Sequence, residues 1–338
     1  MHLRAARPPR ARPPRSAGAA LLGLAAGAAA CRVEWGPPGG GARDGGPVEL
    51  WVYTSVYPEV LQTLEGPLQA AVPGARVQFF QGGSEKVAAR FEAEEEGGGS
   101  PACVLLTSDP AWLEDLTARG RLRPYVSPRA LELDRAFVTP TWTAARLSLM
   151  VMAGPAPGSW AELADPAHQG RFSSGDPLAS GTTFSTLAAW EQAFGWPWVE
   201  RLSANGWMAA GGSSAVIARM ESGERPIGVV LMENLLARGI PYTLPAEGAV
   251  PVPGPAAIPA GCAHPLQAMA VVDWLLSPEA QALFVAGQMY SPFPGAAPPP
   301  GAPPLDELPR LALPPGFWST LAAEGPALKD RFRGLRAP

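Results

Sequence analysis

From residue 48 onward, short apolar runs alternate with amphipathic stretches. Val48 to Tyr53 (Val-Glu-Leu-Trp-Val-Tyr) is rich in β-branched and aromatic residues and predicts a strand. Thr54-Ser55 predicts the cap of a helix over roughly Tyr57 to Ala71, which Pro73-Gly74 ends. Ala75 to Phe80 predicts a second strand, and Ser84 a cap for a helix from Glu85 to about Glu96. Ala102 to Leu106 is wholly apolar, as expected of a strand covered on both faces of a parallel sheet, and Thr107-Ser108-Asp109-Pro110 opens a third helix with proline in its first turn. Three strand–helix units in a row predict an α/β domain.

A second set follows. Leu147 to Met152 predicts a strand, Trp160 to Ala164 a helix, and Arg171 to Ser174 a short strand before Asp176-Pro177-Leu178-Ala179-Ser180-Gly181-Thr182-Thr183, which leads into an apolar helix from Phe184 to Phe194. Further helices are expected near Pro197 to Ala204, after Gly211-Gly212-Ser213-Ser214 through Met220, at His264 to Leu276 and at Pro278 to Gly287. Strands are expected at Trp207 to Ala210 and Pro226 to Met232, and Val250 to Ile258 is an extended, proline-interrupted run that returns to the first domain. Pro292 to Pro309 reads as proline-rich coil, and Phe317 to Arg333 as closing helices.

Small hydroxyl residues recur at five strand–helix junctions: Thr54-Ser55, Ser84, Thr107-Ser108, Ser180 to Thr183 and Ser213-Ser214. In parallel α/β sheets ligands bind beyond the carboxyl ends of the strands, where all five would lie. Hydroxyls and helix N-terminal N–H groups together suit an anion. Each junction alone reads as an ordinary N-cap; their convergence is what predicts a polar cleft. Asp176, an acid beside such a seat, is expected to fix the turn or meet a ligand cation.

Composition and the two ends narrow the class. The chain is 47% hydrophobic and 17% charged, which places it among globular proteins with enough length for two cored domains. The first thirty residues carry Arg4, Arg7, Arg10, Arg12 and Arg15, then the apolar run Ala17 to Ala30, too short to span a bilayer and fitting a signal-peptide core. Small residues then precede Cys31, as at a lipidation site, although Ala28 stands where leucine is usual. Residues 1–31 are therefore expected to be a signal peptide with a lipobox-like cleavage site, and residues 32–47 a flexible tether. Loss of residues 1–30 removes five arginines and no acid, taking the net charge from −4 to −9, which excludes a nucleic-acid binder. Cys103 and Cys262 would pair in an oxidising compartment only if they meet, and free thiols are equally compatible with the sequence. Histidine occurs only at His2, His168 and His264 and there is no Cys-x-x-Cys, so no zinc site and no cofactor are expected. Without a Gly-x-Ser-x-Gly elbow, and with both internal histidines in proline-flanked loops, hydrolytic catalysis is not expected.

The strand end Tyr53-Thr54-Ser55, the helix start Gly83 to Arg90 and the strand and turn Ala102 to Asp109 resemble the first domain of bacterial solute-binding proteins of ABC transporters, of the class containing ferric-iron, phosphonate and sugar-phosphate binders. Asp176 to Thr183 and Ala268 to Leu283, with Ser277-Pro278-Glu279-Ala280-Gln281, are similar to the same family, so the resemblance covers roughly residues 48 to 294. It implies a two-lobed type II periplasmic binding-protein fold, each lobe a mainly parallel sheet flanked by helices, joined by crossing hinge strands near Arg146 to Ala153 and Val250 to Ile258. The expected boundaries are 48–148 plus 254–300 for lobe 1, 149–253 for lobe 2 and 301–338 for a proline-rich segment and closing helices. The implied partners are a small ligand captured by hinge closure and an ABC permease in the inner membrane. The expected location is the periplasm or cell envelope, with an N-terminal lipid anchor on Cys31, and the expected assembly is a monomer.

The residues expected to bind ligand are Tyr53, Thr54, Ser55, Ser84, Thr107, Ser108, Ser180, Gly181, Thr182, Thr183, Gly212, Ser213, Ser214, Glu233 and Asn234. Iron-binding members are described by adjacent tyrosines after the strand equivalent to Ile227 to Met232; here Met232-Glu233-Asn234 stands there. Hydroxyl and N–H donors suit a phosphate ester, phosphonate or carboxylate better than Fe(III), which takes anionic oxygens. An anionic solute is therefore the expected ligand. Fe(III) is the alternative, and a ligand-sensing lipoprotein the alternative role.

Overall fold

A computed structural model describes residues 46–336. The signal segment, Cys31 and nearly all of the tether lie outside the described residues. The first elements are β1 (Val48–Thr54), α1 (Pro58–Ala71), β2 (Ala75–Gln81), α2 (Ser84–Glu96), β3 (Ala102–Leu106) and α3 (Pro110–Ala118). α1 shows why the pattern works: Val60, Leu64 and Leu68, four apart, are its buried residues, Pro58 starts it, and Gly74 at φ +80° turns the chain into β2. A short β4 (Leu122–Arg123) and two 3-10 turns lead to β5 (Trp142–Ala153).

Next come β6 (Phe172–Ser174), α4 (Gly181–Phe194), α5 (Trp196–Ala204), β7 (Met208–Ala209), α6 (Ser213–Ser222), β8 (Ile227–Leu231), α7 (Met232–Leu236) and β9 (Tyr242–Thr243). The expected helix at Trp160 to Ala164 is a 3-10 turn, Ala161–Ala164. β10 (Val250–Pro259), α8 (Pro265–Leu275), α9 (Pro278–Ala286) and α10 (Phe317–Arg336) complete the chain, α10 being one helix where closing helices were expected.

The strands form one sheet in the order β2-β1-β3-β10-β5-β8-β6-β7, with β4 on β10 and β9 on β5. β2, β1 and β3 are mutually parallel, as are β8, β6 and β7. The two parallel sets are bridged by β5 and β10, which pair antiparallel along nearly their whole length, from Val250↔Met150 to Ala257↔Trp142. One end of this ribbon joins β3 through Ala256 and Ala257, and the other joins β8 through Met150 to Ala153. β10 tolerates Pro251 and Pro253 because residues 250–254 have a sheet partner on one side only, so a missing N–H breaks no second ladder.

β5 is buried at all twelve positions and alternates between two cores. Leu147, Leu149, Val151 and Ala153 enter one core with Val216, Ile217 and Leu235; Met150 and Met152 enter another with Trp160, Trp190 and Phe172. Phe317, Leu321, Leu328 and Phe332 of α10 close that second core. Cys103 in β3 and Cys262 in the turn after β10 form a disulfide, which resolves the alternative left open by the sequence.

Candidate functional site

The expected caps did not all form, and this decides where several hydroxyls go. α1 is preceded by Tyr57 with no side-chain cap, α2 by Gly83 and α6 by Gly212, again without one. α3 is capped by Asp109, whose carboxylate accepts from the Trp112 N–H. Only α4 has the expected hydroxyl cap: Ser180 Oγ accepts from the Thr183 N–H at 3.4 Å and lies 3.0 Å from Thr182 Oγ1. The caps expected of Ser55, Ser84 and Ser213 are thus corrected.

Ser55 and Ser108 instead meet each other. They follow β1 and β3, neighbouring parallel strands, and their Oγ atoms are 3.0 Å apart. Ser108 Oγ also accepts from an Nη2 hydrogen of Arg146, on β5. Arg146 Nη1 donates to Ser148 Oγ at 2.8 Å, and Ser148 Oγ donates to Glu233 Oε1 at 2.7 Å. Arg146 and Ser148 are two apart on one strand, hence on one face. Glu233 comes to them because β8 pairs with β5 and α7 begins directly after β8.

The charged members of this network are closed to water, Arg146 being 2% and Glu233 4% exposed, while Ser55 at its edge is half-buried. The Arg146 stem lies across Gly254 of β10, where a Cβ would come within 2.5 Å of Arg146 Cγ and 2.9 Å of Nε. Arg146 Nε is buried without a hydrogen-bond partner. Burial pushes the Glu233 carboxyl above its ordinary range, opposed by the Arg146 charge and the Ser148 hydroxyl. Burial likewise pulls Arg146 down, but a guanidinium stays charged at any working pH.

Tyr57 extends the cluster. Its phenol oxygen accepts from Asn234 Nδ2 at 2.9 Å, and the Ser213 hydroxyl also reaches it. Burial pushes this phenol up, and the Glu233 charge adds to the effect. On the other side, Gly181 at the start of α4 sits against Asp109: a Cβ there would be 2.8 Å from Asp109 Cβ.

The structure therefore gathers Ser55, Ser108, Ser213, Glu233 and Asn234 around Arg146, Ser148 and Tyr57, while Gly181 packs on Asp109. Ser180, Thr182 and Thr183 bond among themselves at the α4 N-terminus. Thr54 serves its own turn, accepting from the Val56 N–H. Thr107 is buried with no hydrogen-bond partner for its hydroxyl, Ser84 is buried at the start of α2, and Gly212 and Ser214 are exposed. Tyr53 is turned away. Its ring packs on Phe80 with Arg90 over it, and its hydroxyl donates to Glu94 at 2.8 Å. The reason is parity, since Val52 and Tyr53 feed different cores.

Arg146, Ser148 and Gly254 were not among the residues expected from sequence. The available signal was the one charge inside the run Trp-Thr-Ala-Ala-Arg-Leu-Ser-Leu-Met-Val-Met-Ala. A mainly apolar groove of about 630 Å³ lies between α9 and residues 291–300; Leu276, Val285 and Phe293 line it, with Arg129, Glu132 and Gln281 among its polar residues.

A family model described as bacterial extracellular solute-binding protein matches residues 59–287, about two-thirds of the chain. The chain belongs to this family. Solute-binding proteins of this kind bind a small ligand outside the cytoplasmic membrane and work with an ABC permease, and the family is one of binding proteins rather than enzymes. Among solved structures, this solute-binding protein is similar to iron-bound HitA from Pseudomonas aeruginosa (TM-score 0.74, 21% identity, covering 84% of this chain and 99% of that one). It is similar also to the periplasmic binding protein AfuA from Actinobacillus pleuropneumoniae with fructose-6-phosphate bound (TM-score 0.73, 20% identity, 84% and 97%). A third is the apo ferric ion-binding protein A of Pasteurella haemolytica (TM-score 0.71, 17% identity, 84% and 98%). At these identities the likeness establishes the fold: two-lobed, with β5 and β10 as the crossing strands. No curated protein sequence matches.

Proposed function

We propose that this solute-binding protein captures a small anionic solute, a phosphate ester, phosphonate or carboxylate, between lobes formed by residues 48–148 plus 254–300 and by residues 149–253. The observation that carries the reading is the buried guanidinium of Arg146 beside the paired hydroxyls of Ser55 and Ser108, where two parallel strands end. A planar cation with hydroxyl donors is a recognition set for an oxyanion. Gly181 and the capped start of α4 would supply N–H groups from the facing lobe. AfuA, whose structure holds a phosphate ester, gives the class a precedent in the same fold.

Fe(III) is the second reading: the HitA structure is iron-bound, and the Pasteurella haemolytica protein is named a ferric ion-binding protein. It fits the donors less well, because Fe(III) takes anionic oxygens while the Tyr57 phenol is pushed away from ionisation and Glu233 is engaged with Arg146 through Ser148. Delivery to a permease fits the family, and anchoring through Cys31 with residues 32–47 as tether belongs to the same proposal.

The test is mass spectrometry of ligand released from the purified protein, followed by thermal-shift titration. Phosphate esters or phosphonates are expected to raise Tm. Ser108→Ala is expected to weaken the anion by ~1–3 kcal/mol, through one lost charge-assisted hydrogen bond. A rise with Fe(III) and none with any oxyanion refutes the proposal.

A further inference from the structure

The anion seat already contains an anion. Glu233 reaches Arg146 through a single hydroxyl, with Ser148 Oγ 2.8 Å from the guanidinium and 2.7 Å from the carboxylate. With Glu233 ionised the pair is neutral, and both members are almost wholly buried. A solute anion that takes up Arg146, Ser55 and Ser108 would leave two negative groups sharing one cation inside a closed cleft. Like charges within about 4–6 Å do not both stay ionised in such a place; one takes up a proton. Glu233 is the candidate because it is fixed there by the fold.

Resting on the anion-binding reading above, we infer that Glu233 competes with the solute for Arg146, and that an anion binds together with one proton, drawn from bulk water onto the Glu233 carboxylate. The groups facing Glu233 agree with this. Arg146 and Ser148 face it from β5, and the Tyr57 phenol faces it from the turn before α1. Arg146 is the one cation in that set, so a second anion has no other counter-charge there. Burial already biases the carboxyl toward its protonated form. Glu233 thereby sets the affinity of the site as well as its charge preference, and Glu233→Gln should improve binding instead of weakening it.

The experiment is isothermal titration of the whole chain with methylphosphonate, glycerol 3-phosphate and methanesulfonate, at pH 5.5 to 8.5, in two buffers of different ionisation heat. The wild type is expected to take up close to one proton more per anion than Glu233→Gln does, a comparison that subtracts any proton carried by the probe itself. Its affinity should rise by up to tenfold per unit fall in pH, between the pKa of Glu233 in the empty and in the loaded cleft. At pH 8, Glu233→Gln should bind at least tenfold tighter than wild type. Equal proton counts and equal affinities in the two proteins would overturn the inference and leave the proposed function standing. Loss of binding in folded Glu233→Gln would also overturn it, by making Glu233 a direct contact of the solute. If no anion binds either protein at any pH, the proposed function falls and the inference with it. Should the variant not fold, the wild-type proton count in the two buffers with methanesulfonate, which carries no proton in this range, still decides.

Discussion

Asp109→Asn should stabilise the protein at pH 8 and leave it unchanged at pH 4. Asp109 caps α3 by accepting the Trp112 N–H at 3.1 Å, and it is 5% exposed, pressed against Gly181 of α4. Burial pushes its carboxyl from 3.8 to about 6; the Trp112 N–H opposes the shift, the Glu85 charge adds to it, and Lys329 on α10 works against it. The fold therefore favours the protonated acid. That contribution is complete below the unfolded value near pH 3.8 and is lost as pH rises through about 6, so at pH 8 the buried charge is a cost relative to a neutral group. A shift of roughly 2 units corresponds to about 3 kcal/mol at ~1.4 kcal/mol each. That figure already includes what the carboxylate gains from the N–H groups at the helix N-terminus, so it is also the net expectation. Asparagine keeps a cap acceptor for Trp112, so little should change where aspartate is already protonated. Denaturant unfolding of both proteins at pH 4, 5, 6 and 8 measures the difference. It should be near zero at pH 4 and grow across the interval to pH 6. A difference that does not change with pH, or a variant less stable at pH 8, would refute the reasoning.

Two further outcomes follow from the same geometry. Cys103→Ser with Cys262→Ser opens a loop closed over a sequence separation of 159 residues, and should cost about 5 kcal/mol by the chain-entropy estimate, read from the denaturation midpoint with and without reductant. Arg146→Met strands the Glu233 charge and should cost about 3–5 kcal/mol, whereas Arg146→Met with Glu233→Met should recover most of that loss, because a buried pair replaced as a unit leaves no uncompensated charge; a double variant no better than the single one would show that the two do not act as a pair.

Most of the fold was legible because it is local. α1, β1, β3 and α4 announce themselves by apolar spacing and by Pro or Gly punctuation; the observed bounds of the first three differ from the expected ones by at most a residue, and α4 starts three residues earlier, at Gly181. Trp160 to Ala164 misled because one apolar turn fits a 3-10 turn as well as a helix. The site was legible only in part. Ser55, Ser108 and Ser213 were identifiable from their place after strands, though for the wrong physical reason, since none caps its helix. Tyr53 could not be placed because the face on which a strand residue emerges depends on pairing register, which no local pattern reveals. The Cys103–Cys262 contact spans the whole return of the chain and has no local signal at all.

Arg146 is the residue on which these two limits meet. Its neighbours in sequence are apolar, and read locally it is a charge misplaced in a buried strand. It becomes tolerable only through the register of β5 against β10, which places Gly254 opposite it, directly at the irregularity between Gly254 and Pro255. Glycine leaves room for the arginine stem, since any side chain there would meet it within 2.5 Å. The pairing of β5 with β8 then brings Glu233 to the end of the Ser148 bridge, and β3, joined to the same ribbon through β10, brings Ser108 to the guanidinium from the other direction. Each of these registers is nonlocal, and a slip of one residue in any of them would turn its polar group to the opposite face of the sheet. The crossing strands are thus both the mechanical link between the parallel sets and the element that assembles the buried charge network. On the proposed function, a ligand that rearranges Arg146 would act directly on the two strands that join the parallel sets.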